Sequence, residues 1–182
     1  NKRTDIHFML VRNLEWQFLR NGSVWKCKEL FAYILCCIID AHDKGATSML
    51  VITLYERVRV AIENFLQFVE QHCGHFLWPN QFTVAVTAGT DVKKAVKAVT
   101  PGQCSGMSVD AVVFLAAHRR RTNEKHWWTG HMAQISRRYV GCTRARERLY
   151  LIVEQPPPTV KPSDDYWLRV ADKLDVTPKK LF

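Results

Sequence analysis

Three short runs constrain the fold more than anything else in the chain: SMLVIT at 48–53, DAVVFLAA at 110–117 and RLYLIV at 148–153. Each is apolar almost throughout, partly β-branched, and bounded by polar residues. A strand with one wet face alternates apolar and polar residues, whereas a strand covered on both faces reads as a continuous apolar run. The runs therefore predict buried strands. Segments of helical periodicity separate them, as crossovers between parallel strands require. FTVAVTAG (82–89) and VKAVT (96–100) are further strand candidates. The expected class is α/β, a mostly parallel sheet covered by helices, with ligands outside the carboxyl ends of its strands.

Cys27, Leu30, Phe31, Ile34, Leu35 and Ile38 recur near a period of 3.6 and predict a helix over 26–42. ERVRVAIENFLQFVEQH (56–72) is the clearest helix, with Val60, Ile62, Phe65, Leu66 and Val69 as its apolar stripe and Gly74 just beyond its end. GHMAQISRRYVGCTRARE (130–147) reads as partly helical, interrupted or bent near Gly141 and holding Arg144 at the top of the sheet; DYWLRVADKLD (165–175) reads as a last helix. VRNLEWQFLR (11–20) fits either a short helix or an edge strand. The implied division is 1–47 as an N-terminal helical extension or edge, 48–154 as the α/β domain, and 155–182 as a Pro-rich segment with a C-terminal helix.

The chain carries 26 Lys and Arg against 17 Asp and Glu, a net charge of +9. That balance favours nucleic acid, a nucleotide or an acidic protein surface. Six cysteines without CxxC spacing point to an intracellular, reducing compartment rather than a disulfide framework, and Cys36 and Cys37 read as buried thiols. His72, Cys73 and His75 have no second pair at ligand spacing, so no metal site is expected. The apolar run LFAYILCCII (30–39) is too short to span a bilayer, and no membrane partner is expected. The first residue is Asn, which suggests a piece of a longer protein.

Three basic or glycine-bearing stretches can carry chemistry. In SRRYVGCTRARERLYLIV (136–153) five arginines fall within twelve residues. Arginine's rigid fork matches phosphate oxygens and never loses its charge. A solvated basic helix fits the same residues. In TPGQCSGMSVD (100–110), Gly102 and Gly106 permit positive φ or a close backbone approach, and free N–H groups there can hold an anion. The loop lacks Walker A spacing, and an ordinary tight connection fits it too. In HRRRTNEKHWW (118–128), Arg119 and Arg120 precede Trp127 and Trp128. These either clamp phosphates and stack bases or pack on a neighbouring domain.

Taken together, two of these stretches resemble the second RecA-like motor domain of superfamily 1 helicases, a group with DNA-repair and RNA-surveillance branches. RRYVGCTRARERLYLI is similar to motif VI through Tyr139, Val140, Gly141, Thr143, Arg144, Ala145, Arg146, Arg148, Leu149 and Tyr150. TPGQCSGMSVDAVVFL resembles motif V through Thr100, Gly106, Asp110 and the strand that follows, and VITLYERVR (51–59) resembles a weakened motif IV. The resemblance runs from about 48 to 153. It implies a RecA-like three-layer fold and an ATP-dependent helicase or translocase. Arg144 would be the catalytic arginine finger, with Tyr55, Gly106, Ser108 and Arg146 near the nucleotide. Thr100, Gly102 and Ser105, with Arg119 and Arg120, would meet single-stranded RNA or DNA. ATP and Mg2+ would be held mainly by a first RecA-like domain, the partner of this lobe.

This chain departs from the family pattern at Ser105, usually Gln or Lys, and at Ser108, usually Glu; Leu54 replaces a proline and Val58 a glutamine. The departures admit an alternative, an inactive helicase-like scaffold with protein partners in a ribonucleoprotein or other large complex. Neither a Walker A lysine nor an acidic metal motif occurs in these residues. The segment alone is therefore expected neither to bind ATP well nor to hydrolyse it.

Overall fold

A computed structural model describes residues 3–12, 28–77, 83–84, 95–115, 136–156 and 158–181. Its elements are β1 (Asp5–Val11), α1 (Lys28–Asp43), β2 (Ser48–Thr53), α2 (Glu56–Leu77), β3 (Thr83–Val84), β4 (Ala95–Val99), β5 (Val109–Leu115), α3 (136–142) and β6 (Ala145–Glu154). A short 3-10 turn, Pro162–Asp164, leads into α4 (Tyr166–Lys173). The described strands form one sheet in the order β1-β6-β5-β2-β4-β3, and every pair is parallel.

Register assigns the two faces. Phe8, Leu151, Phe114 and Ile52 stand in one row across β1, β6, β5 and β2. On this face Gly141 of α3 meets Phe114 and Ile52, and Trp167 of α4 meets Phe8. The next row, His7, Tyr150, Val113 and Val51, faces the other way, where Tyr150 reaches Asp40 of α1. Phe31 of α1 and Phe65 of α2 lie 4.4 Å apart, so these two helices share that side. Connections running one way along the sheet thus carry helices on one face, and those running back lie on the other, as uniform crossover handedness demands. The result is the expected three-layer α/β domain. All six residues of β2 are buried, which is why SMLVIT shows no alternation.

Several expectations need correcting. β6 begins at Ala145, not at Arg148, so Arg146 and Arg148 are strand residues. α2 continues through Gly74 to Leu77. Ile62, Leu66 and Val69 are buried as expected and Phe65 packs against the core, but Val60 is exposed and Val58 and Ala61 are buried instead; Arg59 pairs with Glu56 and Glu63. Cys37 is buried but its neighbour Cys36 is exposed, since adjacent helical residues point about 100° apart. α3 stops at 142, one residue past Gly141, which is the interruption expected there. A Cβ there would come within 2.8 Å of the Phe114 ring, so glycine lets the helix lie close on the sheet.

Residues at both ends join the sheet. β1 pairs with β6 over its full length, and Tyr33 of α1 donates its hydroxyl to Leu10 O at 2.7 Å. Beyond α4 the chain runs alongside β1: Leu10 N–H donates to Lys179 O, and Lys179 N–H to Phe8 O, each at 2.8 Å. This covers an edge that would otherwise expose unpaired backbone groups. Most of 11–20 and 82–89 lies outside the described residues, as does all of 118–128.

Candidate functional site

The resemblance nominates residues from two connections, and parallel topology sends them to opposite ends of the sheet. Ala145, Val109 and Ser48 open β6, β5 and β2, and mark the amino edge. Thr53 and Val99 close β2 and β4, and mark the carboxyl edge. Five residue steps separate the edges along β2, roughly 17 Å at about 3.3 Å per residue.

Arg144 lies in the turn between α3 and β6, at the amino edge rather than the carboxyl end expected for ligands. Its backbone carbonyl accepts from Val109 N–H at 3.0 Å, which stitches the turn to the start of β5. Its half-buried side chain folds across the end of the 100–108 crossover. Nε donates to Val140 O at 3.1 Å, Nη1 to Met107 O at 3.3 Å, and Nη2 to Thr143 Oγ1 at 3.1 Å. A guanidinium has five N–H donors. One hydrogen therefore remains on each terminal nitrogen, in a fork whose direction three bonds already set.

Beside it, Arg146 Nη2 donates to Asp110 Oδ1 at 2.6 Å. The second oxygen of Asp110 accepts from Thr47 N–H and hydroxyl, each at 2.9 Å, and from Ser48 N–H at 3.1 Å; Asp110 N–H donates to Ser48 Oγ. Burial alone would raise the Asp110 pKa. The bonds from Thr47, Arg146 and Ser48 outweigh it and hold the carboxyl below its ordinary range. The register between β5 and β6 slips by one residue opposite Asp110, so β6 carries an extra residue there. Such a bulge re-aims side chains. Arg146 consequently meets Asp110, while Arg148 turns to Asp5 at 3.2 Å.

The crossover leaves the carboxyl edge at Thr100 and reaches the amino edge at Ser108. Buried Pro101, Cys104 and Met107 pin it, and Gly102, Gln103, Ser105, Gly106 and Ser108 are exposed. Gln103 N–H and Cys104 N–H both donate to Thr100 O, and the Gln103 side chain accepts from Thr100 N–H. Only Gly106 uses the left-handed region, at φ 76°; Gly102 does not. Thr100 and Gly102 thus lie toward the carboxyl edge, and Ser108 at the amino edge with Arg144 and Arg146. Tyr55, expected beside the nucleotide, stands at the carboxyl edge, immediately before α2. Arg119 and Arg120 lie outside the described residues.

Sequence reasoning missed two features. Asp110 was noted only as a family match, yet it organises the amino edge. Trp167 of α4 carries the guanidinium of Arg138 over its ring, 5.2 Å from the centroid. Within the dense arginine stretch, Arg138, Arg144, Arg146 and Arg148 therefore all have partners inside the chain.

No protein-family model matches the chain, and no curated protein matches it. Among solved structures, it is similar to the crystal structure of the C-terminal domain of a possible DNA helicase from Lactobacillus plantarum WCFS1, at 15% identity. That comparison covers 92% of this chain and 83% of the other, with a TM-score of 0.39, too loose an overlap to bear on function. No described helix is long and apolar enough to cross a membrane.

Proposed function

We propose that this chain is the second motor lobe of a superfamily 1 helicase-like ATPase acting on single-stranded nucleic acid. The observation that carries the reading is the meeting of Ser108 and Asp110, from the end of the motif V stretch, with Arg144 and Arg146 of motif VI at the amino edge, around a guanidinium whose fork is already oriented. Arginine held this way stabilises charge developing on a transferring phosphoryl group with little reorganisation. Arg144 is the group that would touch the γ-phosphate. Arg146 braces the edge through Asp110, and the exposed hydroxyl of Ser108 adds a donor.

The donor set suits a polyphosphate but not its metal. Among the described residues no cluster of three or more His, Cys, Asp or Glu can hold an ion. Mg2+ and most of the ATP would be held by a first RecA-like lobe, the nucleotide there supplying the phosphoryl group that would pass to water. On this reading Tyr55 and Thr100, at the opposite edge, face the strand instead of the nucleotide.

One observation favours the scaffold alternative. Three Arg144 donors are satisfied within the chain, which suits a purely structural arginine as well. ATPase activity of the full-length protein, with and without single-stranded RNA or DNA, separates the two. Stimulation by one polymer supports the motor and names its substrate class. A folded protein without turnover, and indifferent to Arg144→Ala, supports the scaffold.

A further inference from the structure

The C-terminal helix lies outside the helicase resemblance, yet it brings aromatic side chains to the carboxyl edge. α4 starts there: β6 ends at Glu154, Gln155 N–H donates to Val11 O, and the chain turns through Pro162–Asp164 into Tyr166. Asp165 caps the helix by accepting from Leu168 N–H at 3.0 Å, which fixes where Tyr166 emerges. The Tyr166 ring stands edge-on to Trp167, with centroids 5.1 Å apart and planes at 78°. Trp167 is itself wedged between Phe8 and the Arg138 guanidinium. Arg138 lies within electrostatic reach of both Tyr166 and Tyr55. Tyr166 is nevertheless 42% exposed, an aromatic ring packed against Trp167 on one side and open to solvent on the other.

In strand order the carboxyl edge therefore presents Tyr166 and Trp167 over β1 and β6, then Arg138, then Tyr55 and the exposed Glu56 after β2, then Thr100 and the exposed residues Gly102 and Gln103 after β4. Four inter-strand gaps at about 4.8 Å make this strip roughly 19 Å long. An aromatic ring at one end, a cation in the middle and exposed loop residues at the other are what a flexible polyanion with unpaired bases requires. The net charge of +9 suits the same ligand.

We infer that Tyr166 is a base-stacking residue for single-stranded nucleic acid, and that α4 extends the strand-binding track of the carboxyl edge beyond the resemblance to superfamily 1 helicases. This rests on the proposed function for the direction of the track, but the stacking contact can be tested separately. Stacking on a held ring costs little side-chain entropy. Because every base has a π-face, it is tolerant of sequence. Arg138, half-buried over Trp167, adds positive charge behind the ring.

The test uses the full-length protein and a labelled ten-nucleotide oligomer, as RNA and as DNA, with binding followed by fluorescence anisotropy. Tyr166→Ala should weaken binding about 5- to 100-fold, while Tyr166→Trp should bind as the wild type does. With an oligomer of the same backbone but no bases, Tyr166→Ala and wild type should bind alike, a result that lost folding cannot produce. The RNA and DNA arms decide which polymer the platform prefers. Equal binding of the base-bearing oligomer by Tyr166→Ala and wild type overturns the inference, as does equal weakening toward the abasic strand. If ATPase activity is strand-stimulated in that case, the motor reading stands without the platform. If binding depends on Tyr166 but turnover is absent, the platform stands and the motor reading falls. A wild type that binds neither polymer overturns both.

Discussion

The two edges of this sheet are built from different materials. At the amino edge, charges are paired closely: Arg146 with Asp110, Arg148 with Asp5, and Arg144 against two carbonyls and a hydroxyl. At the carboxyl edge, aromatic side chains stand among charged ones such as Glu56, Glu154 and Asp164, and the crossover exposes Gly102 and Gln103. On the α1 face, toward the amino edge, Asp40 accepts from Tyr150 at 2.6 Å and Lys44 at 2.9 Å, and His7 stacks on Tyr150. The contrast teaches that the dense arginines are not one basic surface. They are divided among partners, and an edge organised this way suits one small charged group, whereas the other suits a long flexible ligand.

The sharpest way to break this comparison is Arg144→Ala in the full-length protein. Strand-stimulated ATPase should fall by about 10²-fold or more, with strand affinity unchanged, and Arg144→Lys should not restore it because a lysine has no fork. If strand affinity fell instead, the division of labour between the edges would be wrong. Asp110→Ala comes next. It leaves Thr47, Ser48 and Arg146 without their acceptor and should cost about 2–3 kcal/mol, read from the urea midpoint. No change would mean the amino-edge bonds contribute nothing.

Gly141→Ala should be milder. Overpacking against buried Phe114 costs about 1–3 kcal/mol, offset in part by roughly 1 kcal/mol of improved helix propensity. A drop of a few degrees in Tm is expected, and a rise would show that Phe114 yields freely. The smallest effect concerns acid. The carboxyls of Asp110 and Asp40 both sit below their ordinary range despite burial, because hydrogen bonds favour the charged form. A depressed folded pKa contributes stability above the unfolded value of about 3.9, and that stability is lost as pH falls through the folded value. The destabilisation caused by Asp110→Asn should therefore be larger at pH 7 than at pH 3 in urea titrations. Equal values at both pH values would remove Asp110 from the acid response.

Much of the fold was legible. SMLVIT matches β2 residue for residue, and VVFL and LYLIV fall inside β5 and β6, since strands buried on both faces must be apolar throughout. β1 was not legible. DIHFMLV places Asp5 and His7 among apolar residues because it is an edge strand, and its partners lie more than 140 positions away. Most of the α2 stripe was legible, but ERVRV offers valines on nearly opposite faces, and only packing against the sheet chose Val58 over Val60.

The candidate site divides in the same way. Local chemistry determined that the chain is α/β and that Arg144 sits between a helix and a strand, because periodicity and residue type are properties of neighbours in sequence. Tertiary structure alone decided that Arg144 and Tyr55 stand at opposite edges, that a one-residue bulge aims Arg146 at Asp110, and that α4 returns to the sheet with Tyr166 outward. Each depends on strand register, crossover direction or packing between segments far apart in the chain. Those relations arise only when the apolar rows of separate strands are buried together.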